Sequence, residues 1–130
     1  MVDWEPISES ALYSRLQQGQ ARMTPHQQRL WSAVRIQPEK WHQHPYGDSG
    51  SGFWAVGLVG NTVLWYNDLV DGFNRSQYTV YGTIDDYLCN EDELESCVEY
   101  LWIVFERGVD LARLVRDVPK VNRQKEGEKK

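Results

Sequence analysis

Asp68 and Asp71 stand three residues apart in WYNDLVDGFNRSQY (65–78), flanked by Asn67, Asn74 and a glycine. Carboxylates and amides at this density can ligate a hard cation or relay protons. The spacing does not fit a calcium loop. An EF-hand places oxygen ligands at alternate positions, a glycine at the sixth and a glutamate at the twelfth, whereas this stretch reads Asp-x-x-Asp-Gly. Acid–base work by two carboxylates needs a cleft and shifted pKa values. Asp-Gly between alternating apolar residues is instead a strong two-residue hairpin signal. The stretch is read as a decorated turn.

Three other groups carry possible chemistry. His42 and His44, two apart and close to Asp48, would share one face of a strand. Zinc asks for three or four ligands, however, and no third stands at motif spacing; no cofactor or metal is expected. GDSGSGF (47–53) has the glycines of a phosphate cradle but leads into strand-like sequence, without the Lys-Ser/Thr ending or a following helix. Ser49 and Ser51 fit no strand–turn–helix nucleophile pattern. Asp85, Asp86, Glu91, Asp92, Glu93 and Glu95 place six carboxylates within eleven residues. They read as helix capping plus a solvated face, with the capacity to meet a basic partner.

The rest of the chain bounds what could position these residues. Its 130 residues, 41% hydrophobic and 25% charged, suit one globular domain over 1–119 with a charged, disordered tail over 120–130. Net charge is −5, yet the last eleven residues hold five bases and two acids, so the first 119 carry −8. Nucleic-acid backbones are bound by neutralising phosphates with Lys and Arg, and a body this acidic argues against such a partner. The longest apolar runs, FWAVGLVG and YLWIVF, are too short to span a bilayer, and no membrane association is expected. MVDWEPISES has no secretory pattern. Cys89 and Cys97, about 12 Å apart along the expected helix, exceed disulfide reach and are read as free, core-facing thiols of a reducing cytoplasm.

PISESALYSRLQQG predicts a short helix, with Pro6 in its first turn, an Ala11–Leu12–Leu16 stripe and Gly19 as its stop. Thr24, Pro25 and Gln27 form a capping-box start. Alternation from Leu30 to Ile36 then predicts a helical turn over 25–29 and a strand over 30–37, ended by Pro38. Gly60-Asn61 predicts a hairpin pairing Val59 with Thr62, Leu58 with Val63, Val56 with Trp65 and Trp54 with Asn67. Asp71-Gly72 as a second turn pairs Val70 with Phe73, Asp68 with Arg75, Asn67 with Ser76 and Trp65 with Tyr78. Together they put Trp54, Val56, Leu58, Val63, Trp65, Tyr78 and Val80 on one face. Tyr81 to Ile84 reads as a bend and short edge strand. CNEDELESCVEYLWIVFERG predicts a helix over 90–107, capped by Asn90 with Glu93 at the box position. Its stripe of Leu94, Cys97, Val98, Leu101, Val104 and Phe105 would cover the apolar face, and Gly108 would stop it. A short helix over 111–117 follows, capped by Asp110.

GFWAVGLVGNTVLWYND, DGFN, YGTIDDY and CNEDEL, with Lys40-Trp41 ahead of them, give the chain its most distinctive pattern. Over about residues 30–97 it resembles a group of small bacterial proteins of unknown function, a resemblance that implies no activity, cofactor or catalytic residue. A leading helix and about five short strands is also similar, at fold level only, to Sm-like and SH3-like small barrels.

The expected architecture is therefore α+β: an N-terminal helix, then an antiparallel meander of four or five bent strands, as a partly open small barrel or an open sheet, covered by a C-terminal helix. The expected role is a non-catalytic interaction or regulatory domain for a basic protein partner. Its candidate contacts are Trp41, His42, His44, Tyr46, Asp68, Asp71, Asn74, Asp85, Asp86 and Glu91. Two alternatives are a small metal-assisted or hydrolytic enzyme using His42, His44, Asp68 and Asp71, and an Sm-like nucleic-acid binder.

Overall fold

The computed structural model describes residues 5–48 and 51–107, with side chains through Ile103. The described residues divide into two units, with the boundary between Val98 and Glu99. In order come α1 (Glu9–Arg22), α2 (Pro25–Val34), β1 (Arg35–Trp41), β2 (Phe53–Val59), β3 (Thr62–Asn67), β4 (Gly72–Gln77) and α3 (Leu94–Arg107). The strands form one antiparallel sheet in the order β1-β2-β3-β4. This is the expected α+β class, but the sheet is open; it does not close into a small barrel. The expected features at Gly108, Asp110, 111–117 and 120–130 lie outside the described residues.

Both N-terminal helices start on side-chain caps. Ser8 Oγ accepts from the Ala11 N–H at 3.2 Å, which leaves Pro6 ahead of the helix rather than in its first turn. Gly19 does not stop α1. It lies inside the helix, where an added Cβ would come within 2.8 Å of Leu94 Cβ, so its role is close approach. Thr24 and Gln27 close the expected capping box. The helix they start runs on to Val34, burying Leu30, Trp31 and Val34. Their spacing suits a helix as well as a strand, and the cap decides between them. The strand begins only at Arg35 and contains Pro38. A proline is tolerated there because β1 is an edge strand, and the register is irregular between Arg35 and Glu39.

The Gly60-Asn61 turn forms as expected, with Val59 opposite Thr62 and Leu58 opposite Val63. The register then slips between Ala55 and Gly57, so Ala55 meets Trp65 and Trp54 meets Tyr66. A bulge inserts one residue, and a one-residue slip sends later side chains to the other face. Trp54 therefore points to the other face of the sheet from Trp65, a correction to the expected single face. Its indole N–H reaches the Ile7 carbonyl at 3.4 Å, and Lys40 lies over its ring at 5.0 Å.

The second turn is longer than Asp71-Gly72 alone. Asn67 pairs with Gly72, Trp65 with Asn74 and Val63 with Ser76, leaving residues 68–71 as the loop. Asn67 Oδ1 accepts from the Leu69 N–H at 3.0 Å, an amide-built turn that competes with the tighter one. Asp71 takes the left-handed residue (φ 56°), which Asp tolerates. The register moves by four, an even number, so Trp65 keeps the face expected for it, and Tyr78 packs against the cluster around it.

That cluster contains Trp41, Phe53, Ala55, Val63, Trp65 and Ile84, with Ile36, Leu58, Tyr78, Tyr87 and Leu88 packed against it. The buried α3 residues Leu94, Cys97 and Val98 are not among its members. A strap over residues 82–92 covers it instead. At one end Thr83 bridges to His42 beside edge strand β1; at the other Asp92 bridges to Phe73 on edge strand β4. The strap thus crosses the sheet from edge to edge and bonds to both open margins, which an exposed edge otherwise offers to other chains. Thr83 supplies a single bridge, not the fifth strand expected near it. α3 begins at Leu94 rather than at Asn90.

Candidate functional site

The polar residues of the 65–78 stretch are largely occupied by the fold. Asn67 is fully buried; its Nδ2 donates to Tyr87 Oη at 3.0 Å and to the Leu88 carbonyl at 2.9 Å. Asp68 Oδ2 accepts from the Ile7 N–H at 2.8 Å. Its charge also faces Lys40, whose pKa is lowered by burial and only partly restored by Asp68. The expected register of Asp68 opposite Arg75 does not form; Arg75 stands opposite Leu64. Buried Asn74 bonds both ways with the Asn90 backbone. These groups tie the turn to the N-terminal segment and to the strap.

Asp71 is different. It is exposed and borders a groove of about 200 Å³ lined by Arg15, Gln18, Arg22, Tyr66, Asp71, Phe73, Glu91, Asp92 and Glu93. Arg15, Gln18 and Arg22 come from one face of α1, where three- and four-residue steps bring side chains together. Asp71 Oδ2 accepts from Arg15 at 3.1 Å, and Tyr66 Oη donates to Asp71 Oδ1. Burial first, and the bond to Asp71 second, push the Tyr66 phenol up to about 12. The bond with Tyr66, more than the charge of Asp71, holds the Arg15 pKa above its ordinary value.

At the other end, Arg22 meets Glu93 at 2.5 Å and Glu95 at 2.6 Å. Burial pushes Glu95 upward, but the hydrogen bond and charge of Arg22, with a backbone bond, hold it below the usual carboxylate range. The groove lining carries four carboxylates and two guanidinium groups. Side-chain exposure of 44% and 61% for Arg15 and Asp71, and of 46% and 63% for Arg22 and Glu93, leaves these pairs in water, where ion pairs contribute little and exchange readily.

Of the ten expected contact residues, Asp71 and Glu91 line this groove. Trp41 is 1% exposed, so it is a core residue and not a surface contact; its indole donates to Glu39 at 2.9 Å. His42 uses its backbone on the strap, donating to Gly82 and accepting from Ile84, each at 2.8 Å. His44 Nδ1 lies 2.7 Å from Asp48 Oδ2 in an exposed pair. Tyr46, half-exposed, stacks on Tyr87 at 3.9 Å. Asp85 accepts from Thr79 at 2.9 Å, and the Asp86 carbonyl accepts from Ser76 at 2.7 Å. Asn74 and Asp68 are structural, as described. Among the described residues, no group of three or more His, Cys, Asp or Glu side chains is placed to hold a metal ion. Neither cysteine is in a disulfide; Cys97 is buried as expected, whereas Cys89 is exposed.

Arg15, Gln18, Arg22 and Tyr66 were not among the expected contacts. The first three are legible as one polar helix face. Tyr66 depends on the register of β3 and β4. No helix among the described residues is long and apolar enough to cross a membrane.

No protein-family model, curated protein or solved structure matches this chain.

Proposed function

We propose that the protein is a non-catalytic interaction domain that receives a basic segment of a partner protein in the groove between α1 and residues 91–93, just ahead of α3. The supporting observation is the contrast within its polar residues. Asn67, Asp68 and Asn74 are bound into the fold, while Asp71, Glu91 and Glu93 stay exposed along one groove. Carboxylates arranged so steer association with a cationic surface and set its specificity. Arg15 and Arg22 already occupy part of that lining as guanidinium groups, and a partner's arginines would take the same carboxylate geometry.

A small enzyme draws less support. The phenol nearest the groove carboxylate is held at about 12, far from the range in which a general acid or base works near neutral pH. The acid-rich groove lends nothing to a nucleic-acid binder. Two cysteines outside any disulfide, one of them exposed, suit a reducing compartment such as the cytoplasm.

Titration of the purified protein with a fluorescent arginine-rich peptide, by anisotropy at two salt concentrations, tests the reading. Saturable binding is expected, weakened by salt and reduced at least tenfold in Asp71→Asn/Glu91→Gln/Glu93→Gln. Absence of binding by a folded protein, or equal binding by the folded triple variant, overturns it.

A further inference from the structure

We draw no further inference here: the strongest candidate, the groove between α1 and α2 bordered by Tyr13, Leu16, Gln20, Gln28 and Arg35, carries nothing because no feature of the structure shows what covers it.

Discussion

Asn74 and Asn90 hold each other through two hydrogen bonds, from Asn74 Nδ2 to the Asn90 carbonyl at 3.0 Å and from the Asn90 N–H to Asn74 Oδ1 at 2.9 Å. The side chain thus imitates one rung of a β-ladder and joins β4 to the strap. Asn74→Ala removes both bonds, and a cost of about 1–3 kcal/mol is expected for partly buried groups left without partners. Asn74→Asp keeps an acceptor but sets a carboxylate against a carbonyl, so it is expected to cost at least as much. Urea unfolding of both variants measures this. A loss below about 0.5 kcal/mol would show that the strap is held elsewhere.

Three glycines separate close approach from turn geometry. A Cβ at Gly72 would lie 2.4 Å from both the Asn90 carbonyl oxygen and Glu91 Cα, backbone atoms that cannot swing aside. Gly72→Ala is expected to destabilise by about 1–3 kcal/mol or more, as in overpacked cores. Gly60 has φ 56° with nothing within 4 Å, so Gly60→Ala should cost only the left-handed penalty of about 1–2 kcal/mol. Gly19→Ala would gain up to about 1 kcal/mol of helix propensity on an open face. Against Leu94 it should instead lose stability, and thermal unfolding of the three variants gives the order.

Much of this fold could be read from residue types, because its signals are local. Thr24 and Gln27 declare a helix start, and Gly60-Asn61 declares a reversal; both act within four residues. What was not legible depends on partners distant in sequence. The slip at Val56 exchanges Trp54 for Phe53 and Ala55 on the Trp65 face, and each choice offers an apolar side chain to that face. Gly72 looks like a turn glycine and is required by a strap some twenty residues later. Asn90 and Glu93 carry the letters of a capping box, but the Asn90 backbone is already committed to Asn74, and α3 starts at Leu94. For the same reason only Asp71 and Glu91 of the expected contacts meet in the groove. Its other wall is a face of α1, which neither of their local patterns mentions.

Tyr66 should titrate apart from an ordinary tyrosine. A free phenol ionises near pH 10, and this one is raised to about 12. The folded state therefore holds its proton more tightly than the unfolded state does. The stability this contributes is fully present below about pH 10 and is lost as pH rises through about 12. The difference in phenolate absorbance between the native protein and Tyr66→Phe isolates the group, since the upward shift of Tyr81, caused chiefly by its bond to Glu39, is common to both. A difference curve centred near 10 would show that neither the burial of Tyr66 nor its contact with Asp71 is maintained in solution.

Glu95 gives the opposite sign at the acid end. Its pKa is lowered in the folded state, since the bonds and charge from Arg22 outweigh the effect of burial. A depressed carboxylate contributes stability that is present above its unfolded value of about 4.3 and lost as pH falls through the lower folded value. Glu95→Gln is therefore expected to unfold at a lower denaturant concentration than the native protein at neutral pH. The two midpoints should converge as the pH drops below about 4. Because Arg22 also bonds Glu93 at 2.5 Å, the neutral-pH gap should widen in the background of Glu93→Gln, where Glu95 is left as the remaining carboxylate of the described pair. A gap that stays constant from neutral pH to acid would mean that the side chain acts through packing and not through its charge on Arg22.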